Sequence, residues 1–167
     1  MAKIELYSPK LWKIEGGYVN DSDDSGGATN HGITIATFRG FFPKATIQDL
    51  KDVSYSQYQA ILRKLYWNRW KADLINNQSI AEMLVDWTYN SGNYGITIPQ
   101  RILKVDVDGI VGNDTITAVN NANQEQLFTS LKSERKNFYD RIVHNNPTQK
   151  KFYNGWMVRI NEFTFKA

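Results

Sequence analysis

The segment from Ser79 to Gly92 constrains the fold more than any other part of this 167-residue sequence. Ser79 and Glu82 have the spacing of a capping box that begins a helix, and Gly92 can cap its C-terminus. The apolar residues between them do not keep to one side of the helix: they are Ile80, Ala81, Met83, Leu84, Val85, Trp87 and Tyr89. A helix that is apolar almost all round is normally buried by other elements. The segment therefore predicts the central helix of a mainly α domain.

Helix signals also stand on both sides of this segment. Ser8-Pro9 predicts the start of a first helix, because serine caps free N–H groups and proline suits the first helical position. Ser54 and Gln57 form a second capping box ahead of apolar residues at helical spacing. Asn123 opens a long helix and Thr148 a last one, in which Phe152, Trp156, Ile160 and Phe163 are spaced for burial.

The charged residues of the long helix are expected on its solvated side; they are Lys132, Arg135, Lys136 and Arg141. No linker, repeat or low-complexity segment divides the chain. The simplest architecture is one mainly α domain with a small irregular or β hairpin at residues 20–34.

Composition excludes several classes of function. A net charge of +3 favours an anionic polymer only mildly, and no basic tail or face indicates nucleic acid. The absence of cysteine excludes disulfides, Cys-based zinc sites and thiol nucleophiles. His31 and His144 lack a ligand-spaced partner, and the calcium-like spacing of Asp106 and Asp108 puts Thr117 where such a loop needs a Glu. We expect no metal, no cofactor and a monomer.

The loop from Glu15 to Thr34 is the main candidate for chemistry. It holds five of the eleven glycines and four of the seventeen acidic residues within twenty positions. Gly16-Gly17 can end the preceding helix, which puts Glu15 in its last turn. The helix dipole is negative there and disfavours an ionised carboxylate. That position suits a general acid, which must hold a proton and deliver it to a leaving-group oxygen.

Three stretches of this loop carry a resemblance to a known family. They are Glu15-Gly16-Gly17-Tyr18-Val19-Asn20, Asp24-Ser25-Gly26-Gly27-Ala28-Thr29 and Gly32-Ile33-Thr34. Together they resemble the signature of glycoside hydrolase family 108, the phage-type N-acetylmuramidases that are also described as secretion-activator proteins. The resemblance implies a lysozyme-like fold, with a peptidoglycan glycan strand as the partner. It also implies cleavage of the bond between N-acetylmuramic acid and N-acetylglucosamine.

Glycoside hydrolysis usually needs a second carboxylate besides the acid. Asp24 lies nine residues after Glu15, a spacing also found in phage-type lysozymes, while Asp21 and Asp23 are close rivals. Those lysozymes add a threonine, and Thr29 comes one residue earlier than their pattern. As structure alone, the three aspartates can equally be solvated turn formers. The catalytic prediction is therefore Glu15, Asp24 and Thr29.

Five further residues are predicted to bind substrate. Tyr18, Asn20 and Thr34 belong to the quoted motifs. Tyr89 and Asn90 lie where the buried helix ends, a natural place for residues that line a cleft, although a capped helix end explains them equally well. No metal-binding residue is expected.

The second half of the chain resembles another class of module. Asp108-Gly109-Ile110-Val111-Gly112 is similar to the Asp-Gly-x-x-Gly turn of helical peptidoglycan-binding modules. As structure, it is a turn in which Gly109 and Gly112 supply unusual φ values and Asn113 or Asp114 caps the next helix. We therefore expect a catalytic half at residues 1–92 and a peptidoglycan-binding-like half at residues 93–167, packed into the same body.

Two other functions remain open at this point. A lytic transglycosylase also needs an acidic Glu, but it lets the muramic 6-hydroxyl attack in place of water. A non-catalytic wall-binding or secretion-associated protein could keep the same body. The N-terminus shows no signal-peptide pattern and no apolar run reaches eighteen residues, so we expect a protein made in the bacterial cytoplasm that reaches the cell wall by release or export.

Overall fold

The computed structural model describes residues 1–20 and 27–167. Contacts divide the chain into a smaller unit, Ile4–Leu65, and a larger unit, Met1–Lys3 with Tyr66–Ala167. Across the described residues there are nine α-helices, three short π or 3-10 turns and one two-stranded sheet. The prediction of a mainly α fold with a small hairpin is confirmed.

The smaller unit consists of helices around a short hairpin. Its elements are α1 (Ile4–Ile14), β1 (Thr29–Asn30), β2 (Ile33–Thr34), α2 (Ile35–Phe41), α3 (Ile47–Lys51) and α4 (Tyr55–Leu62). The strands are antiparallel, with Thr29 opposite Thr34 and Asn30 opposite Ile33. The two loop residues, His31 and Gly32, have φ values of 45° and 74°. Positive φ at both positions is typical of the primed turns that match strand twist in tight hairpins.

Helix α1 begins earlier than the sequence predicted. It starts at Ile4, so that Pro9 lies inside the helix rather than at its first position. Ile4, Tyr7, Ser8 and Leu11 are buried, and their spacing of three and four residues makes one face of a helix. The free energy gained by burying that face is larger than the cost of the hydrogen bond that proline cannot donate. The Ser8 hydroxyl, predicted as a cap, lies 2.7 Å from the Tyr55 hydroxyl instead.

One predicted capping box is confirmed and the other is wrong. Ser54 and Gln57 cap α4 reciprocally, as predicted. The helix α5 (Gln78–Ser91) begins one residue before Ser79, because the Asn77 side chain accepts a hydrogen bond from the amide of Ile80. The Ser79 hydroxyl instead accepts from the amide of Lys166, a partner 87 residues away that local spacing cannot reveal.

The larger unit is built around α5. Its other elements are a 3-10 turn (Ala72–Leu74), α6 (Tyr94–Leu103), α7 (Asn113–Asn121), α8 (Gln124–Asn145), a 3-10 turn (Pro147–Gln149) and α9 (Lys150–Glu162). A π-helical turn (Arg63–Trp67) follows α4 and contains the boundary between the two units. Every residue of α5 from Ser79 to Thr88 is buried, as its apolar surface predicted. Gly92 follows α5 with φ 57°, which confirms the predicted cap.

Four further expectations fail in this unit. Helix α9 begins at Lys150 rather than Thr148, and Phe152 is 45% exposed where burial was predicted. Gly112 has an ordinary φ of −89° and is itself the N-cap of α7, in place of Asn113 or Asp114. Of the two glycines in that turn, Gly109 alone has positive φ, at 73°.

The burial of Arg135 contradicts the prediction that the polar side of α8 is fully solvated. Its side chain is 1% exposed, and its Nη2 donates to Asp86 Oδ2 at 2.7 Å. Arg159 Nη2 donates to Asp86 Oδ1 at 2.8 Å. A charged group is buried only when partners replace its lost hydration, and Asp86 on α5 provides that partner. One carboxylate thus joins α5, α8 and α9.

Replacing Gly95 with alanine should destabilise the larger unit. A Cβ at this residue of α6 would lie 2.5 Å from the Thr88 Cα and 2.6 Å from the Trp87 carbonyl carbon. These are backbone atoms of α5, which cannot rotate away, so the two helices must separate. Overpacking of this kind costs about 1–3 kcal/mol or more. Urea denaturation should show the corresponding fall in the free energy of unfolding.

Gly155 is the matched control for this substitution. It lies within α9, and a Cβ there meets nothing within 4 Å. Gly155→Ala should be neutral, or stabilising by about 0.5–1 kcal/mol, because alanine is the better helix former. If Gly95→Ala unfolded at the same urea concentration as Gly155→Ala, the result would contradict the close packing of α5 and α6 at Gly95.

No membrane-spanning helix is found in residues 1–20 and 27–167, where none combines the necessary length with the necessary apolar character.

Candidate functional site

Glu15 is the first residue after α1. Its amide donates to the Leu11 carbonyl at 3.0 Å, which continues the helical pattern by one step, and its side chain is half-buried. Gly16 follows with φ 66°, the left-handed conformation predicted for the end of this helix. Glu15 therefore stands at the negative end of the helix dipole, where the sequence placed it.

The chain after Glu15 is paired with the hairpin. Val19 forms an antiparallel bridge with Thr29, in which each amide donates to the other's carbonyl at 2.8 Å. Thr29 also pairs with Thr34 across the hairpin. The backbone around Tyr18 and Asn20 is thus held beside β1, and the Thr29 backbone lies between those of Val19 and Thr34.

The chain before Glu15 is attached to the turn of the same hairpin. The Trp12 and His31 rings are stacked, with centroids 3.5 Å apart and planes 14° from parallel. His31 Nδ1 also lies 3.0 Å from the Trp12 carbonyl oxygen. The edges of Tyr55 and Tyr58 pack around the Trp12 ring. The segment that carries Glu15 is therefore fixed to the hairpin on both sides, three residues before it and four residues after it.

A third attachment joins the hairpin to α3. Asn30 is buried, and its Nδ2 donates to the carbonyls of Leu50 and Lys51 at 3.0 Å each. The Lys51 ammonium lies 4.7 Å from the centre of the Tyr18 ring. This cation–π contact occupies one face of the ring, and a sugar could stack only on the other.

The two predicted threonines have structural partners of their own. The Thr29 hydroxyl donates to the Gly27 carbonyl at 3.2 Å. The Thr34 hydroxyl caps α2, where it accepts from the Thr37 amide at 3.2 Å. Each contact gives a reason for a threonine that does not involve substrate, so their roles in catalysis and binding remain predictions.

Tyr89 and Asn90 belong to the larger unit. The Asn90 amide donates to the Asp86 carboxylate at 3.2 Å, and Arg159 lies 5.9 Å from the centre of the Tyr89 ring. Tyr89 also packs against Tyr66, with ring centroids 4.8 Å apart. These contacts attach the end of α5 to the Asp86 network, and substrate binding by either residue remains a prediction. Asp21, Asp23 and Asp24 lie outside the described residues, so the position of the second carboxylate also remains a prediction.

Replacing Asn30 with alanine should loosen the hairpin. The variant loses both hydrogen bonds to the end of α3 and leaves two carbonyls without this donor, which costs about 1–3 kcal/mol. We expect a matching loss in the free energy of unfolding and faster hydrogen exchange at the Val19 and Thr29 amides. Gln48→Ala, which removes only an exposed bond to Asp52, is the control and should change stability by less than about 0.5 kcal/mol. Unchanged exchange in Asn30→Ala would contradict the anchoring role.

The smaller unit also contains an open cavity of about 530 Å³, lined mainly by apolar residues of α2 and the segment after it: Phe38, Phe41, Phe42, Pro43 and Ala45. Of the predicted site residues that the structure describes, none lines it. Residues 1–20 and 27–167 contain no group of three or more His, Cys, Asp or Glu that could hold a metal ion.

Sequence reasoning missed the residues that hold the hairpin. Trp12, His31 and Asn30 contact groups 19 to 21 positions away, and a single sequence carries no mark of such pairs. His31-Gly32 was the one available signal, because two residues between short β-prone stretches indicate a tight hairpin. Sequence reasoning considered His31 only as a candidate metal ligand.

The chain is similar to proteins of known family and structure. Residues 9–92 match the family model described as Glycosyl hydrolase 108, and residues 94–161 match the one described as Predicted Peptidoglycan domain. The solved structure titled "Structure of Brucella abortus SagA" has a TM-score of 0.80 and 27% sequence identity, and the match covers 95% of this chain and 90% of that chain. None of the curated proteins matches.

These matches support a peptidoglycan-related hydrolase or binder, and the first of them spans just over half of the chain. The chain belongs to glycosyl hydrolase family 108.

Proposed function

We propose that this protein is a peptidoglycan hydrolase that cleaves the bond between N-acetylmuramic acid and N-acetylglucosamine. Glu15 acts as the general acid and protonates the leaving oxygen. Asp24, or else Asp21 or Asp23, supplies the second carboxylate, and Thr29 holds a water. The glycan strand contacts Tyr18, Asn20, Thr34, Tyr89 and Asn90.

One observation carries this proposal: Glu15 stands at the end of α1 in a segment fixed to the hairpin at both Trp12 and Val19. A general acid must be held in place relative to the bond it protonates, because a small misplacement costs a large part of the rate. Glu15 is also half-buried at a helix end. Family membership supports a glycoside hydrolase with peptidoglycan as its substrate.

The test is digestion of purified cell-wall sacculi. We expect falling turbidity together with new reducing ends, and mass spectrometry should find muropeptides that end in intact N-acetylmuramic acid. Anhydro-muropeptides would instead identify a lytic transglycosylase and overturn the hydrolase proposal. Binding to sacculi with no soluble product would favour the non-catalytic wall-binding function, for which the match over residues 94–161 is the supporting observation.

The stereochemistry of the product reports on the second carboxylate. A separation of about 6.5–9.5 Å between the two carboxyl groups leaves room for water and gives inversion, while about 5–5.5 Å gives a covalent intermediate and retention. NMR of the first-formed sugar anomer distinguishes the two. Repeating the digestion with Asp21, Asp23 and Asp24 each changed to Asn identifies which carboxylate works with Glu15.

A further inference from the structure

The open cavity beside Phe38, Phe41 and Phe42 in the smaller unit, which we call the α2 cavity, has the size of a ligand site. Its volume of about 530 Å³ falls within the range of about 300–1,000 Å³ that is typical of small-molecule sites. Phe38 is buried, and its ring packs against that of Phe42 with centroids 4.9 Å apart and planes 49° from parallel. The aromatic wall is therefore held in place from behind, and the cavity has room for a ligand with one or two rings.

Positive charge predominates around the α2 cavity. Lys44 lines it and is exposed. The Lys64 ammonium lies 5.2 Å from the centre of the Phe41 ring, which belongs to the wall. Arg39 Nε donates to the carbonyl of Ala45, another lining residue, at 2.9 Å. Among the residues that the structure describes, no carboxylate lies within salt-bridge distance of Lys44 or Lys64, so both ammonium groups can pair with an anion.

The carboxylate in the lining, that of Asp49, already has a structural role. Its Oδ2 accepts hydrogen bonds from the amide and the hydroxyl of Thr46 at 2.7 Å each, and these bonds lower the pKa of Asp49. The group is therefore ionised at neutral pH and is committed to the capping box of α3. The cations of Arg39, Lys44 and Lys64 outnumber this single negative charge, which favours an anionic ligand.

These features match a molecule that carries both an aromatic ring and a carboxylate. A ring can pack edge-on or tilted against the phenylalanines of the wall, the arrangements that aromatic pairs prefer. A carboxylate forms charge-assisted hydrogen bonds with lysine ammonium groups. A neutral ring would leave the cations without a partner, and a purely inorganic anion would leave the apolar wall in contact with water. The combination of wall and charge therefore selects an apolar anion.

We propose that the α2 cavity binds a small aromatic carboxylate, with its ring against Phe41 and Phe42 and its carboxylate facing Lys44. The inference is independent of the proposed function, because it requires neither Glu15 nor a glycan strand.

NMR titration of the full chain with 2-naphthoate and with its neutral counterpart 2-naphthamide tests the site. Both probes should shift the amide resonances of Phe42 and Ala45 to saturation and leave that of Gly155, in α9 of the larger unit, unchanged. The carboxylate probe should bind about threefold to fivefold more tightly, the factor that a partly exposed ion pair gives. Phe42→Ala removes a ring of the wall and should weaken the binding of both probes about tenfold.

Lys44→Gln separates the charge from the shape of the cavity. Lys44 is exposed, so the substitution should preserve the fold, and it should remove most of the preference for naphthoate while the affinity for naphthamide stays unchanged. Lys44→Glu should reverse the preference. Lys13→Gln, which changes an exposed lysine of α1, is the matched control and should keep the wild-type ratio of the two affinities. That ratio is measured within one protein, so a small change in stability does not alter it.

Equal affinities for the two probes in the wild-type protein would overturn the inference, as would a preference that survives Lys44→Gln or the absence of any saturable shift. If circular dichroism shows that Phe42→Ala is unfolded, the two Lys44 variants still decide the question. Lys44-dependent sedimentation with phosphatidylglycerol vesicles, without a shift caused by naphthoate, would identify a membrane contact instead and would also overturn it. None of these results depends on the digestion of sacculi, so the proposed function stands or fails separately.

Discussion

Replacing Glu15 with glutamine is expected to lower turnover on purified sacculi by about 10²–10⁴-fold, the usual contribution of a general acid. Glutamine has nearly the same size and can hydrogen-bond, but it cannot deliver a proton to the leaving oxygen. Glu15 is half-buried just after the last residue of α1, and the near-equal size of glutamine preserves the packing at that position. The loss should therefore appear in kcat, with sacculus binding and the free energy of unfolding nearly unchanged.

Glu5→Gln is the matched control for this experiment. Glu5 lies in the first turn of the same helix, and its carboxylate forms an exposed salt bridge with Arg63 at 3.2 Å. Exposed pairs contribute about 0–1 kcal/mol, so this variant should digest sacculi at the wild-type rate. Wild-type turnover in Glu15→Gln would exclude Glu15 as the general acid. A parallel loss of folding and activity would show a structural role instead.

Replacing Asp86 with alanine is expected to cost about 3–5 kcal/mol of stability, the usual penalty for removing one partner of a buried ion pair. Arg135, 1% exposed, would keep its charge in the interior without the carboxylate that now accepts its hydrogen bond at 2.7 Å. Arg159 and Asn90 would lose the same partner. Because α5, α8 and α9 meet at this carboxylate, chemical denaturation should show the whole larger unit unfolding at lower denaturant concentration.

Two further variants separate the buried charge from the general effect of removing an acid. Glu134→Ala breaks an exposed pair with Arg141 on α8 and should change stability by less than about 1 kcal/mol. Asp86→Ala combined with Arg135→Met removes both charges of the buried pair, and it should recover part of the loss because the uncompensated guanidinium is gone. An Asp86→Ala protein as stable as Glu134→Ala would contradict the network.

The local features of this fold could be predicted from residues close together in the sequence. A capping box at Ser54, an N-cap at Asn123 and glycines that end α1 and α5 are all observed as expected. Each N-cap depends on a side chain that reaches a backbone amide three residues away, and each glycine depends on its freedom to take positive φ. Glu15 belongs to this class, since its place at a helix end follows from Gly16 and Gly17.

The errors arise where a distant partner outweighs a local signal. Pro9 lies inside α1 because Ile4, Tyr7 and Leu11 are buried on one face of that helix. Arg135 is buried because Asp86 on α5 forms an ion pair with it. The hairpin was expected, but its attachments at Trp12, His31 and Asn30 join residues about twenty positions apart. No local pattern records which of many polar or aromatic residues will be neighbours.

Patterns in the sequence were enough to predict the helical class, the buried centre at α5, the family and the carboxylate at the end of α1. Those properties depend on spacing along the chain and on capping, which are local and additive. Three-dimensional contacts were needed to show that the hairpin holds the segment of Glu15 from both sides and that one buried aspartate joins three helices. Those properties depend on which residues far apart in the sequence pack together and exclude water from their contacts.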